Sequence, residues 1–248
     1  MLLSSALRLP NPPCLALVGA GGKTTALFQL ARELALGAGH VIVTATTHLG
    51  AWQASLADRH FIVTGLSPHP EFEFQNASGV TLMTGPLDGD RFEGLEYSRL
   101  SWLRTLCESN NLPLLIEADG SRQRPLKAPA EHEPVIPDFV GTVVVFAGLS
   151  GLGKPLTDEF VHRPEIFARL SGLAPGKTVT PAALVCLLTH PSGGLKNIPS
   201  GATRVVLLNQ ADTPELQAQA KAMAEQLLSC YHAVVISSLN PQSPILNP

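Results

Sequence analysis

Residues 14–37 read CLALVGAGGKTTALFQLARELALG, which is an apolar run, a glycine-rich turn and a helical pattern in immediate succession. Leucines at positions 27, 30 and 34 keep the i, i+3, i+7 spacing of one helix face. Gly37 stands where a C-terminal cap would lie. The stretch therefore predicts a buried strand that enters a helix through a tight turn.

The turn contains the groups that bind a phosphate. Such a site needs successive backbone N–H groups, the positive end of a helix dipole, a lysine for the β- and γ-phosphates and a hydroxyl for Mg²⁺. Lys23 supplies the charge and Thr24 the hydroxyl, while the glycines leave the amides unobstructed. The alternative is a plain strand–helix connection with an exposed lysine. The predicted nucleotide-binding residues of this turn are Gly19, Ala20, Gly21, Gly22, Lys23, Thr24 and Thr25.

A second glycine turn lies in VVVFAGLSGLGKPL, residues 143–156, where Gly148 and Lys154 satisfy the usual GxxxxGK spacing. Pro155 then occupies the hydroxyl position, and proline has no N–H group and cannot bind a metal. The first turn has Leu17 in place of the leading glycine, but the shorter GxxGKTT form occurs in the Mur-type ligases that this turn resembles. We therefore predict that the first turn binds phosphate and that the second is a structural loop.

Most strand-like runs in the sequence are continuously apolar, which is typical of a parallel sheet covered on both faces. Helical patterns alternate with these runs, at 98–109 and after the Thr180–Pro181 and Thr213–Pro214 pairs. The sequence predicts an α/β fold, with a mostly parallel sheet flanked by helices in one domain over residues 1–248 and a small loop or hairpin insertion at about 65–94. The predicted strands are 14–18, 40–45, 60–65, 112–118, 141–147, 203–209 and 232–238.

Composition and charge exclude several classes of function. The 17 Lys+Arg and 20 Asp+Glu residues give a net charge of −3, which predicts no nucleic-acid partner. The four cysteines are widely separated and form no zinc-like spacing, which favours a reducing cytoplasm. No apolar run approaches the length of a membrane span, so we expect no membrane partner.

Two carboxylates follow a predicted buried strand in LPLLIEADGS, residues 112–121. A nucleotide site needs a carboxylate at the end of a neighbouring strand to hold Mg²⁺ or to orient water. Glu117 and Asp119 are therefore predicted to be catalytic together with Lys23, and to bind the metal together with Thr24. The alternative is that the two acids cap the turn at Gly120.

Two other strand ends have polar residues that could face the nucleotide. Thr46, Thr47 and His48 follow the strand at 40–45 and are predicted to lie near Mg²⁺ or the γ-phosphate, although threonine at a strand end needs no functional cause.

Asn209 and Asp212 in VVLLNQAD, residues 205–212, have the spacing of the NKxD element that reads guanine in GTP-binding proteins. Gln210 replaces the lysine of that element. An ordinary turn before the Thr213 helix cap is the alternative reading, so the sequence leaves the choice between ATP and GTP open.

Residues 117–137, EADGSRQRPLKAPAEHEPVIP, place charged side chains among four prolines. This stiff and polar composition predicts a switch loop or a loop that binds an acceptor substrate, rather than a merely solvated connection. The charged residues predicted to take part are Arg122, Lys127, His132 and Glu133.

Together with VGAGGKTT, TTHL, GKPLTDEFVHRPE and LNQAD, this segment resembles the YqeC-type proteins, which are regarded as accessory factors of selenium-dependent molybdenum hydroxylases. The similarity covers nearly the whole chain, and residues 117–137 are its most specific part. The resemblance implies a P-loop NTPase-like fold, a role in maturing such a hydroxylase or its cofactor, and a place for His162 and Arg163 at the same crevice.

Three functions remain open at this point. The first is a Mg²⁺-dependent nucleoside triphosphatase, with ATP or GTP as the bound nucleotide. The second is a Mur-like ATP-dependent ligase or a small-molecule kinase, in which the basic loop binds an anionic acceptor. The third is a non-catalytic nucleotide-binding adaptor.

Overall fold

The computed structural model describes residues 2–64 and 77–239. Six α-helices are described: α1 (Leu3–Leu7), α2 (Lys23–Ala38), α3 (Tyr97–Ser109), α4 (Pro164–Ser171), α5 (Pro181–Thr189) and α6 (Pro214–Leu227). The strands described are β1 (Cys14–Gly19), β2 (His40–Ala45), β3 (Leu49–Gly50), β4 (Arg59–Ile62), β5 (Gly79–Thr84), β6 (Leu87–Asp88), β7 (Arg91–Phe92), β8 (Leu114–Glu117), β9 (Leu126–Lys127), β10 (Thr142–Gly148), β11 (Val161–His162), β12 (Thr203–Asn209) and β13 (Ala233–Ile236).

Within residues 2–64 and 77–239, eight strands form one sheet in the order β13-β12-β10-β1-β8-β2-β5-β4. Every neighbouring pair in this sheet is parallel. The α/β prediction is confirmed, and the arrangement is consistent with a P-loop NTPase-like fold. All the predicted strands are present in this sheet.

β5 belongs to the main sheet. The sequence pattern had placed its residues in the insertion at about 65–94. Its apolar residues, Val80, Leu82 and Met83, are few and are interrupted by Thr81, so the sequence pattern did not separate this strand from a loop. The hairpin of β6 and β7 follows it and pairs with β3 in a small antiparallel sheet. Residues 65–76 of the predicted insertion lie outside the described residues.

Side-chain alternation along β1 divides the interior into two apolar layers. Leu15 and Leu17 pack in the layer under α1 and α2. Ala16 and Val18 face the opposite layer, which α3, α4, α5 and α6 cover. Because both faces are buried, the strand must be apolar at every position, which is the reason for the continuous run in the sequence.

The helix that follows the glycine turn runs past its predicted end. α2 continues through Gly37 to Ala38, and Gly39 terminates it with a φ of 76°. The prediction that Gly37 caps the helix is therefore wrong, because the positive φ that ends the helix falls at Gly39 and not at Gly37. The caps at Thr180 and Thr213 are confirmed, since each hydroxyl accepts a hydrogen bond from the amide three residues later.

The strand order creates a crevice at the carboxyl end of β1. The chain passes from β1 to β2, later inserts β8 between them, and places β10 on the other side of β1. Open α/β sheets bind ligands at such a reversal of strand order. None of the helices in residues 2–64 and 77–239 has the length and apolarity needed to cross a lipid bilayer.

Candidate functional site

The glycine turn (residues 19–25) curls at the carboxyl end of β1. Gly19, Gly21 and Gly22 have φ values of 93°, 91° and 109°, which side chains of L-residues rarely adopt. A Cβ atom on Gly19 would overlap the carbonyl oxygen of Phe146, and one on Gly21 would overlap the backbone of Gly148. The glycines therefore allow both the turn itself and its close approach to β10.

The first two amides of this turn are bonded inside the protein, and Gly19 N donates to Asp119. Ala20 N donates to Phe146 O at 3.1 Å. In the part of the chain that the structure describes, the N–H groups of residues 21–25 donate to no other group. They sit at the start of the 16-residue helix α2, where the helix dipole adds positive potential. This is the backbone arrangement that binds a phosphate.

Replacing Gly21 by alanine is expected to lower the free energy of unfolding by about 3 kcal/mol or more. The positive φ alone costs about 1–2 kcal/mol, and the new methyl would collide with backbone atoms that cannot rotate away. Gly153→Ala is the matched control, because Gly153 has a φ of 76° but nothing within 4 Å of the added carbon. Urea unfolding of both variants measures the difference; equal losses would contradict the described contact.

Lys23 lies buried at the base of the turn. Its Nζ donates to Gly19 O at 2.7 Å and lies 3.1 Å from Asp119 Oδ1 and 3.8 Å from Glu117 Oε1. Burial alone would lower the pKa of Lys23, but the carboxylates of Asp119 and Glu117 outweigh it and raise that pKa above its usual value. The ammonium group is therefore charged, and it lies between the start of the turn and the two carboxylates.

Thr24 and Glu117 form the second part of the site. Thr24 Oγ1 donates to Glu117 Oε2 at 3.1 Å, which joins the first turn of α2 to the end of β8. Burial raises the pKa of Glu117, and the nearby charge of Asp119 adds to this effect, while Lys23 opposes it. The structure thus brings Thr24, Glu117 and Asp119 together, as the sequence analysis predicted.

The oxygen atoms of Thr24 and Glu117 are suited to Mg²⁺, which takes a few protein oxygens together with water and substrate phosphates. In residues 2–64 and 77–239, no group of three or more His, Cys, Asp or Glu side chains could hold a metal by itself. The residues fit a Mg²⁺ ion that arrives with a phosphate ligand, and do not form a complete metal cage of their own.

Asp119 connects the turn to a buried ion-pair network that continues through Lys127, Glu133 and Arg163. Both Asp119 oxygens accept from Gly19 N, at 2.9 and 3.1 Å. Lys127 Nζ lies 2.8 Å from Asp119 and 2.6 Å from Glu133, and Arg163 donates to both oxygens of Glu133 at 2.7 and 3.1 Å.

This network separates the charged residues of the 117–137 segment into two groups. Lys127 and Glu133 are buried and bind each other, whereas Arg122 and His132 are exposed. Hydrogen bonds from Arg163 and Lys127 overcome the effect of burial and hold the pKa of Glu133 at about 2. The buried pair therefore fixes the loop to the site, and only the exposed residues can meet a partner directly.

His162, which lies next to Arg163 in the sequence, makes the stability of the folded protein depend on pH. Burial, followed by the charges of Arg163, Lys127 and Arg122, lowers the pKa of His162 to about 4, while Glu133 opposes this shift. Between its unfolded pKa of about 6.5 and about 4, the unfolded chain binds a proton that the folded chain does not. Stability is therefore expected to fall as the pH drops through this window.

The free energy of unfolding of the wild type should fall between pH 7 and pH 5. In His162→Gln this fall should be smaller by about 1 kcal/mol. Urea unfolding at the two pH values measures this loss. An unchanged pH dependence in His162→Gln would contradict the assignment.

The residues after β2 lie beside Glu117 but do not bind it through their side chains. Thr46 N donates to Glu117 O at 3.0 Å, so the two strand ends are hydrogen-bonded. Thr47 is half-buried and His48 is exposed. The predicted contact of these residues with Mg²⁺ or phosphate stays a prediction.

Asn209 is part of the frame of the glycine turn. It is fully buried, and its Nδ2 donates to Gly21 O at 2.8 Å. Its Oδ1 accepts from Ser237 Oγ and Leu239 N, both at 2.9 Å. Asp212 lies on the surface of the same sheet edge and accepts a hydrogen bond from Ser238. Asn209 thus holds the turn, whereas Asp212 is exposed, and the predicted contact of either residue with a base stays a prediction.

The second glycine turn supports the first. A Cβ atom on Gly148 would overlap Gln210 and press on Gly21, and Gly148 N donates to Pro125 O at 2.9 Å. Lys154 points elsewhere, with its Nζ 5.5 Å from the centre of the Phe160 ring. The second turn therefore packs on residues 19–25, a contact that was missed because the sequence shows no pairing of the two turns. That this second turn binds no phosphate stays a prediction.

Comparison with known proteins identifies the family of the chain. A family model described as YqeC protein matches residues 15–165, more than half of the 248 residues. The chain belongs to the YqeC family. The "Uncharacterized protein YqeC" of Escherichia coli (strain K12) is 35% identical over 207 residues, which cover 81% of this chain and 77% of that protein.

The matched region has a clear relation to the site. It contains the glycine turn, Glu117, Asp119 and every member of the ion-pair network through Arg163. It ends before β12, so Asn209 and Asp212 lie outside it. The family match therefore spans the glycine turn, the acidic end of β8 and the ion-pair network.

Proposed function

We propose that the chain is a Mg²⁺-dependent nucleotide-binding protein that hydrolyses a nucleoside triphosphate, ATP or GTP. The observation that carries this proposal is the set of free amides at residues 21–25, which stand next to buried Lys23 and to the Thr24–Glu117 pair. An anion with several oxygens and a bound divalent cation complements these groups.

Each side chain of the site has a separate task in this proposal. The amides of residues 21–25 and Lys23 bind the β- and γ-phosphates and stabilise charge that develops during their separation. Asp119 holds Lys23 in position, because its Oδ1 lies 3.1 Å from Lys23 Nζ. Asp119 is itself fixed, because both of its oxygens accept from Gly19 N. Glu117 has its Oε1 free of close hydrogen bonds in the described residues and is the group suited to orient water.

Thr24 Oγ1 and Glu117 Oε2 would hold Mg²⁺, which when bound neutralises phosphate charge.

We propose that Asp212 contacts the base of the nucleotide, where its carboxylate would accept from the N–H groups of guanine that adenine lacks. The free Cys14, Cys107, Cys186 and Cys230 suit the reducing conditions of the cytoplasm, which we propose as the location.

We further propose that this nucleotide turnover serves the maturation of a selenium-dependent molybdenum hydroxylase or its cofactor. Membership of the YqeC family supports this step, together with the exposed Arg122 and His132 on the loop that leaves the carboxylate strand. Hydroxylase activity in cells that carry only the Lys23→Ala form should be lost if maturation needs nucleotide. Full activity in those cells would contradict the link.

Isothermal titration of the chain with ATP, GTP and their diphosphates tests nucleotide binding. We expect binding at micromolar concentrations with Mg²⁺, and weaker binding when EDTA removes the ion, because phosphate charge then lacks its counterion. Release of phosphate from the preferred triphosphate tests hydrolysis. Absence of binding for both triphosphates at millimolar concentration would contradict the proposed function.

A further inference from the structure

A cavity of about 210 Å³ lies at the carboxyl edge of the sheet, outside the glycine turn. The end of β2, the start of α3 and residues 135–137 form its walls. Leu95, Leu100 and Ile136 make the lining mainly apolar. Such a lining favours an apolar group over a free anion or a metal ion.

The mouth of the cavity exposes apolar side chains to water. Tyr97 is 58% exposed and Val135 is 45% exposed, and both line the opening. Tyr97 is held in place by a hydrogen bond of 2.7 Å from its hydroxyl to Asp138. Exposed aromatic and aliphatic groups around a concave site are typical of a surface that binds a ligand.

One polar group of the wall lacks a partner. Thr46 Oγ1 is buried and forms no hydrogen bond with any described residue. Rotation about χ1 exchanges the positions of the methyl and hydroxyl groups of threonine, so the hydroxyl can turn to a bound molecule. A ligand with one hydrogen-bonding group next to an apolar ring would satisfy it.

The volume limits the size of the group that enters. An apolar cavity of about 150 Å³ binds benzene. A cavity of about 210 Å³ therefore accepts a single ring or a compact bicyclic ring. A complete nucleotide is too large to enter, and its phosphates would find no cation in the lining.

The cavity is adjacent to the carboxylates of the nucleotide site. Thr46 N donates to Glu117 O at 3.0 Å, and Val135 N donates to Ala118 O at 3.1 Å. Two walls of the cavity are thus hydrogen-bonded to the residues that precede Asp119. A molecule held here would have its outer part over the same sheet edge as the phosphates.

We propose that this cavity binds the ring of a small organic second substrate, which occupies the protein together with the nucleotide. The inference rests on the proposed function for its nucleotide and on the cavity for its ring. It extends the proposed function, because a molecule other than water then has a place to bind beside the nucleotide. The substrate class is a neutral ring compound with one hydrogen-bonding group at the ring.

Indole is a suitable probe, since it is bicyclic and has one N–H group. Titration of ¹⁵N-labelled, nucleotide-free protein with indole should shift the amide signals of Thr46, Leu95, Tyr97 and Val135 to saturation. Val135→Trp should abolish these shifts, because the larger side chain covers the mouth. Leu87→Trp is the matched control, since Leu87 is an exposed apolar residue outside the cavity, and it should bind indole as the wild type does.

A second titration distinguishes a second substrate from the nucleotide base. Adding Mg²⁺ and a non-hydrolysable ATP or GTP analogue should leave the indole shifts in place. Displacement of indole by the analogue would overturn the proposal, as would indole shifts that are absent or unaffected by Val135→Trp. A protein that binds indole here but binds no nucleotide would retain the pocket and contradict the proposed function alone.

Discussion

Lys23→Ala is expected to weaken binding of the Mg²⁺–triphosphate by about a hundredfold or more. A hydrogen bond to a charged group contributes about 1.5–3 kcal/mol, and this lysine would meet two phosphates. Its removal also leaves Glu117 and Asp119, both buried, facing the phosphate charge without their shared cation. Isothermal titration under the conditions that detect wild-type binding measures the loss.

Lys154→Ala is the matched control for this variant. Lys154 also follows a glycine in a Gly-Lys pair, but it is exposed and lies over Phe160. Its removal should leave nucleotide affinity unchanged. Lys23→Ala should remain folded, because Asp119 keeps its bonds to Lys127 and Gly19. Circular dichroism and thermal unfolding test this. Tight binding by folded Lys23→Ala would contradict the assignment of the turn to phosphate.

Lys127→Met should lower the free energy of unfolding by about 3–5 kcal/mol. The Lys127 ammonium group is shared by Asp119 and Glu133, and all three side chains are buried. Methionine fills a similar volume but leaves two carboxylates without their common cation. Urea denaturation of the purified variant measures the loss.

Two further variants show whether the loss comes from unpaired buried charge. Adding Glu133→Gln to Lys127→Met removes one of the two carboxylates and should restore part of the stability. Glu108→Gln breaks the exposed pair with Arg104 and should cost less than about 1 kcal/mol. A loss of similar size in Lys127→Met and Glu108→Gln would show that the network contributes little.

The central part of the fold was predictable from local patterns because burial on both faces of a parallel strand produces an uninterrupted apolar run. β1, β10 and β12 are examples, and each has its predicted range to within a residue. β5 was missed because its run is short and stands beside a loop rich in glycine and proline. α4 was missed because Arg163 precedes Pro164 and forms no side-chain cap, so the Thr-Pro signal that marked α5 and α6 is absent.

The acidic edge of the site was predictable for a topological reason. Parallel strands bring their carboxyl ends to one edge, so residues that follow β1 and β8 must meet if these strands are neighbours. The partners of the acids were less accessible to prediction. Arg163 is 30 residues from Glu133 in sequence, and the pairing of β9 with β11 brings the two together. Each of these strands has two residues, which is too short for a sequence pattern to reveal.

The packing of one glycine turn on the other illustrates what sequence patterns omit. Gly148 and Gly21 are required by a contact between two backbones, and such contacts have no periodic signal. The same applies to Asn209, for which two uses were considered in the sequence. Its side chain bonds to the carbonyl group of Gly21, which places it behind the turn as a support.

The central claim is that the glycine turn binds the phosphates of a nucleotide. A crystal structure from crystals grown with Mg²⁺ and a non-hydrolysable triphosphate tests it most directly. The account predicts phosphate oxygens at about 3 Å from the amides of residues 21–25 and from Lys23 Nζ, with Mg²⁺ beside Thr24 and Glu117. A nucleotide bound at another place would contradict it. So would a glycine turn that stays without phosphate at millimolar triphosphate, with Lys23 still bonded to Gly19 O and Asp119.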